Sequence, residues 1–309
     1  MTASKDKLDL SIIINHQYCL EEHIATGSFG QVWRGFDMLN HEDVAIKLEA
    51  GDTLSTHLWR EAQIYEQLGG CIGFPKLYWY GSHEDDNEMV IDLLGASLEQ
   101  VFNLCGRKFS LKTVLILIDQ MASIFYYYKN ISWILHSYHL VHCNLKPENF
   151  LLGVNGSAGI LHLIDLGLST EKIHPITGEH IPYKDGQKSL GTICYLSCNA
   201  HMGIQQSQCD DLEAIVYIKI YFLHGSLPWL GIKGSKEKKY RLIKKKKLHT
   251  TPAALCHGLP KEFHDFLLYT RSLAYNQDPD YFYICNLFRN LAAHHGFLYN
   301  YSYDWTRKN

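Results

Sequence analysis

The sequence predicts an α+β fold in two unequal lobes, a small β-rich N-terminal lobe and a larger, mainly α-helical C-terminal one. Three observations carry this. Short segments of strand character separated by Gly-rich or polar turns fill the first ninety residues, and helix-length apolar periodicity takes over from Ser97. Between them lies Asp92-Leu93-Leu94-Gly95, where a polar residue and a glycine mark a connector. A chain of 309 residues, 46% apolar, can bury the core of one such unit, or of two small domains.

In chain order, Tyr18 to Ile24, Val32 to Phe36 and Asp43 to Leu48 read as strands. From Ser55 to Leu68 the apolar residues Leu58, Ala62, Tyr65 and Leu68 recur at three- and four-residue spacing, which predicts one amphipathic helix packed on those strands. A strand at Met89 to Ile91 leads into the connector. Beyond it, Leu111 to Tyr128, Asp210 to Leu223 and Lys261 to Leu273 have helical periodicity. The run Lys244-Lys245-Lys246-Lys247 reads as a solvated helix end, with anion or nuclear-import contacts as the alternative. There are no internal repeats, and an end four residues after Trp305 predicts no regulatory tail.

Composition narrows the function classes. A net charge of -3 gives no global electrostatic case for nucleic-acid or membrane binding. Nine cysteines without CxxC pairs fit a reduced intracellular setting, and 18 histidines form no HExxH-type metal motif. No apolar run approaches the roughly 20 residues needed to span a bilayer, and the N-terminus carries no secretory pattern.

Chemistry concentrates in a few constellations. Ala25-Thr26-Gly27-Ser28-Phe29-Gly30-Gln31-Val32 lies between two predicted strands, as a phosphate-covering hairpin would, although alone it reads better as a structural β-turn. Fifteen residues past Val32, Val44-Ala45-Ile46-Lys47 ends in a lone lysine among apolar neighbours. Lys47 could reach nucleotide phosphates, oriented by Glu61 on the following helix; the plainer alternative is a snorkelling lysine and a solvent-facing glutamate. Then come His142-Cys143-Asn144-Leu145-Lys146-Pro147-Glu148-Asn149 and, sixteen residues later, Asp165-Leu166-Gly167. The order and spacing resemble the protein-kinase pattern H-R-D-x-K-x-x-N followed by D-F-G. By that resemblance Asn149 and Asp165 are Mg ligands and Lys146 neutralises charge on the transferring phosphoryl group.

Two residues depart from that pattern: Cys143 replaces the arginine and Asn144 the catalytic aspartate. An amide oxygen can orient a substrate hydroxyl but cannot take its proton at neutral pH. Loss of a general base typically lowers the rate roughly 10²- to 10⁴-fold, and since phosphoryl transfer is mostly positioning and charge neutralisation, a residual rate is compatible with the loss.

Further motifs sharpen the resemblance. Asp92-Leu93-Leu94-Gly95-Ala96-Ser97-Leu98-Glu99, His180-Ile181-Pro182-Tyr183, Leu190-Gly191-Thr192, Asp210-Asp211-Leu212-Glu213, Gly225-Ser226-Leu227-Pro228-Trp229, Pro279-Asp280-Tyr281 and Tyr303-Asp304-Trp305 look like the casein kinase 1 family of serine/threonine kinases. The resemblance implies a bilobal protein-kinase fold: an N-terminal tail at 1–17 and a kinase domain at 18–305, with N-lobe about 18–91, hinge about 92–95 and C-lobe about 96–305. It also implies that Ile24, Val32, Ala45, Leu151 and Ile164 enclose adenine, that Asp92 and Leu94 offer hinge backbone groups, that Ile91 is the gatekeeper and that Asp211 holds the catalytic-loop backbone.

Substrate-reading positions have changed as well. Where active relatives carry an arginine after the Gly-Thr pair this chain has Cys194, and a neighbouring double arginine has become Gln208-Cys209; Lys233 and Lys239 remain. Between Gln120 and His142 the chain is about seven residues longer than the family pattern, close to two helical turns, so Phe125 to Trp133 predicts either an extended core helix or an aromatic bulge. The resulting expectation is a casein kinase 1-like domain that binds Mg-ATP with impaired phosphoryl transfer; the alternative is an active kinase with a nonstandard loop. Its partners are then ATP and a protein substrate or scaffold, not nucleic acid or membrane, in a monomer located in the cytoplasm, with nuclear entry open.

Overall fold

In a computed structural model, residues 12–27, 30–51, 57–83, 86–125 and 135–307 are described. The N-terminal lobe is a six-stranded antiparallel sheet in the order β1-β2-β3-β4-β6-β5. Its strands are β1 (Ile13–Ile14), β2 (Tyr18–Gly27), β3 (Gly30–Asp37), β4 (Glu42–Ala50), β5 (Leu77–His83) and β6 (Asp86–Asp92). One helix, α1 (His57–Leu68), packs across it. The strands outrun their expected bounds because ladder pairing continues into polar residues that alternation does not flag; Gln31, for instance, pairs with Leu48. β5 was not anticipated: Leu77-Tyr78-Trp79-Tyr80 lacks alternation, and a register shift between Leu77 and Trp79 breaks its period.

Two-residue periodicity gives the sheet two apolar faces. Val44, Ile46 and Val90 join Ile14, Tyr18 and Leu20 on the outer face. Ala45, Met89 and Ile91 face the other way, onto Leu58, Ala62, Tyr65 and Leu68 of α1 and the core of the second lobe. All four α1 residues expected to be apolar contacts are buried. Because Lys47 is two residues beyond Ala45 and opposite Met89, its side chain must also point to this inner face.

The second lobe holds α2 (Leu98–Leu104), α3 (Leu111–Phe125), β7 (Leu140–Val141), β8 (Phe150–Leu152), β9 (Leu161–Leu163), β10 (Thr170–Glu171) and α4 (Cys198–Met202). It continues with α5 (Gln208–His224), α6 (Lys236–His249), α7 (Pro252–Leu255), α8 (Lys261–Ser272) and α9 (Tyr281–His294). Ser97 opens α2 with a capping box: its hydroxyl accepts from Gln100 N–H, and Gln100 Oε1 accepts from Ser97 N–H. Fifteen of the residues of α5 are buried, so this helix is the axis around which α3, α4 and α8 pack. No helix among the described residues is long and apolar enough to cross a membrane. The aromatic stretch expected at 125–133 lies, after Phe125, outside the described residues; Phe125, Leu135 and Leu140 on either side of it are all buried.

The basic run at 244–247 is not wholly solvated. It ends α6 as expected, but Lys247 is 1% exposed and donates to the carbonyls of Ile193 and Leu196 while lying over Tyr217 and Trp229. Charge counting along the sequence cannot show that the helix turns its fourth lysine inward onto the carbonyls of Ile193 and Leu196.

Candidate functional site

The site forms where the inner face of the sheet meets the loops after β7 and β9. Register places Val32 opposite Lys47 and Lys47 opposite Met89, with Ala45 opposite Ile91, so these side chains share one face above the cleft. Ile24 is exposed at the rim, and Leu151 and Ile164 are half-buried in the floor. The connector is stitched to that floor: Gly95 N–H donates to Leu152 C=O and Leu152 N–H to Ala96 C=O. The Asp92 carboxylate accepts from Tyr78 Oη and Lys76 N–H, each at 2.7 Å, which fixes the connector's entry. Asp92 N–H is already given to Lys76 C=O and so is not open to a ligand at this edge.

The glycine-rich turn is a hairpin with Ala25 opposite Val32, Thr26 opposite Gln31 and Gly27 opposite Gly30; Ser28 and Phe29 lie outside the described residues. Gly30 is required. Its φ is +137°, and a Cβ there would sit 2.0 Å from Leu48 O. Gly27 has no such crowding, and Ala25 sits in the paired strand, where a methyl group is tolerated.

Lys47 and Glu61 meet: Nζ lies 2.5 Å from Glu61 Oε2, with the glutamate 2% exposed. The snorkelling alternative is thereby excluded. Asp165 Oδ1 lies 3.8 Å from the same ammonium. Burial pulls the Lys47 ammonium down, but Glu61 and then Asp165 outweigh it and hold its pKa above the ordinary value. Burial likewise pushes Asp165 up, and Lys47, His142, Lys146 and the Asn149 amide together bring it below the usual carboxylate range. Two histidine and arginine contacts dock α1 onto the Asp165 segment, His57 Nδ1 at 3.2 Å from Gly167 O and Arg60 Nε donating to Ser169 O at 2.7 Å.

The loop Cys143 to Asn149 hangs from α5. Asp211 accepts from His142 N–H at 2.7 Å and Cys143 N–H at 3.0 Å, and His136 Nε2 lies 3.0 Å from the same carboxylate. That anchor holds Cys143 in the left-handed region (φ +65°), a conformation that Asp165 shares (φ +68°). Asn144 is 5% exposed and its amide is committed at both ends: Oδ1 accepts from Thr192 Oγ1 at 3.0 Å, and Nδ2 donates to Asp165 Oδ2 at 3.0 Å. Asn149 Nδ2 donates to Asn144 O and to Asp165 Oδ2. Lys146 is half-buried beside this cluster.

The expected residues Lys47, Glu61, Asn144, Lys146, Asn149 and Asp165 therefore converge. The match to the protein kinase domain family runs over residues 18–270. The chain belongs to the protein kinase family. Its two lobes, six-stranded sheet and helical second half are the bilobal kinase fold.

Three residues of the kinase site were not singled out beforehand. Tyr65, read only as a core residue, donates its hydroxyl to Glu61 Oε1 at 3.1 Å. Thr192, quoted only as part of a motif, clamps the Asn144 amide, and His136 braces Asp211. Tyr65 stands four residues after Glu61 on α1, a spacing that could have marked the pair, whereas no spacing signal marks Thr192 or His136, whose partners lie on other elements. A substrate-facing role for positions 208 and 209 needs correction. Gln208 and Cys209 are both buried: Gln208 Nε2 donates to His136 O and its Oε1 accepts from Lys172 Nζ, so these positions serve the interior at the start of α5. Cys194 is half-exposed, with its carbonyl accepting from Trp229 Nε1, and burial pushes its thiol up.

The donor set fits a nucleotide with Mg. Among the described residues no cluster of three His, Cys, Asp or Glu side chains is placed to hold a metal by itself. One carboxylate, Asp165, and one amide, Asn149, suit a hard cation that completes its shell with phosphates and water.

Proposed function

We propose that this kinase domain is casein kinase 1-like, binds Mg-ATP and has impaired serine/threonine phosphoryl transfer, acting as a pseudokinase or binding module. Asn144 carries the reading. Its amide sits where the proton acceptor belongs and is satisfied by Thr192 and Asp165, so it has neither the basicity nor a free orientation to take a hydroxyl proton. In the proposed complex Lys47 contacts the α- and β-phosphates, the Gly27–Gly30 hairpin covers them, Asn149 and Asp165 hold Mg, and Lys146 meets the γ-phosphate. Mg, when bound, would supply charge neutralisation on the phosphates. Asp92 C=O and Leu94 face adenine at the hinge, roofed by Ile24, Val32 and Ala45 and floored by Leu151 and Ile164. A protein substrate or scaffold is the second partner, and the setting proposed is cytoplasmic.

Two measurements test this. Mg-ATP should raise the melting temperature of the full chain by mass action. With radiolabelled ATP, phosphate incorporation into casein should stay near background; robust incorporation abolished by Asp165→Asn would sink the reading. The same formed Lys47–Glu61 pair supports a second reading, an active kinase with a nonstandard loop. That one fails if Mg-ATP binds and no acidic peptide in a library is phosphorylated.

A further inference from the structure

We propose that Asn144 is a positioning residue that stands in for part of the metal's task at Asp165, so that nucleotide binding by this chain depends little on a divalent cation. The inference rests on the nucleotide-binding reading above and concerns how that same site is regulated.

Asp165 Oδ2 accepts two amide N–H groups, from Asn144 at 3.0 Å and Asn149 at 3.3 Å, while Oδ1 faces Lys47 at 3.8 Å. A carboxylate only accepts, so the Asn144 nitrogen must be the end turned toward it, and the Thr192 hydroxyl on the Asn144 oxygen keeps it so. Asp165 is thus oriented and its charge dispersed by the protein's own donors. A cation reaching Oδ2 has to displace hydrogen bonds that already satisfy it.

An aspartate at position 144 would reverse this. Two carboxylates at hydrogen-bond distance repel each other, and a cation between them relieves that repulsion, which couples metal tightly to the site. Net charge points the same way. Lys47 and Lys146 stand against Glu61 and Asp165, so the phosphate-facing groups balance, whereas a second carboxylate would leave them net negative toward a polyanionic triphosphate.

The experiment is calorimetric titration of the full-length chain with ATP in excess EDTA and in excess Mg. Wild type is expected to bind with affinities within about threefold in the two buffers, and Asn144→Asp to bind at least about tenfold more weakly in EDTA than in Mg. A wild-type chain as metal-dependent as Asn144→Asp overturns the inference and leaves the nucleotide-binding reading intact. No binding in either buffer overturns both. Should Asn144→Asp fail to fold, Asn144→Ala removes the donor without adding charge: its affinity in EDTA is expected to fall about fivefold below wild type with the Mg value within about twofold. An unchanged value in EDTA would count against the strut.

Discussion

Asn144 Nδ2 donates to Asp165 Oδ2 at 3.0 Å, joining the loop after β7 to the Asp165 segment through a neutral donor. In the sequence these residues are 21 apart, and the kinase pattern assigns them separate tasks. In the folded chain the Asn144 amide is a hydrogen-bond partner of the proposed Mg ligand.

Restoring the base tests how much else is intact. Asn144→Asp, assayed with Mg-ATP and an acidic peptide, is expected to raise phosphate transfer by roughly 10²- to 10⁴-fold. A variant as silent as wild type would place the defect in peptide recognition around Cys194 instead.

Lys47→Met would leave Glu61, 2% exposed, without its cation. Breaking a buried pair from one side typically destabilises by about 3–5 kcal/mol. Lys47 itself is 17% exposed at its side chain, so the lower end is expected in urea unfolding. Adding Glu61→Leu should recover much of the loss, because the remaining charge is removed as well.

Gly191 has φ +97°, and a Cβ there would lie 2.2 Å from Cys143 O. Gly191→Ala is expected to push the Thr192 segment off the catalytic loop and to destabilise by about 1–3 kcal/mol through backbone strain. Faster hydrogen exchange at the His142 and Cys143 amides, which Asp211 now holds, would report it.

Lys219 is 2% exposed in α5, with its ammonium 5.2 Å from the Phe266 ring and 5.5 Å from the Phe288 ring. Burial lowers its pKa from the ordinary 10.5 to about 7. Between these values the unfolded chain holds a proton that the folded chain has lost, so stability rises as pH climbs from 7 toward 10.5 and gains nothing from this group below 7. The slope contributed is at most about 1.4 kcal/mol per pH unit. Lys219→Met is expected to flatten that rise and to raise stability at neutral pH, measured as urea midpoints across the range; an unchanged slope would contradict it.

Much of the fold was legible because its signals are local. The inward apolar residues of α1 follow a helical period, and the change to helical periodicity after Ser97 marks the start of the second lobe. β5 escaped because its aromatic run does not alternate and a register shift resets the period. The buried end of the lysine run escaped for the opposite reason: Lys247 looks like its neighbours until the carbonyls of Ile193 and Leu196 come to meet it. Gln208 and Cys209 misled similarly, since burial at the start of α5 depends on where His136 and Lys172 lie.

By itself the sequence determined which chemical groups the site can contain: lysine at 47, asparagine at 144 and 149, and aspartate at 165, in kinase order, with no carboxylate where the base belongs. Side-chain chemistry is a property of the residue. Which atom faces which was decided only by the tertiary structure. Packing on α5 through Asp211 and His136 fixed the loop, Thr192 fixed the amide's orientation, and together they made the Asn144 amide a donor on Asp165. Hydrogen bonds of this kind join residues from 21 to 75 positions apart, and no local pattern encodes their direction.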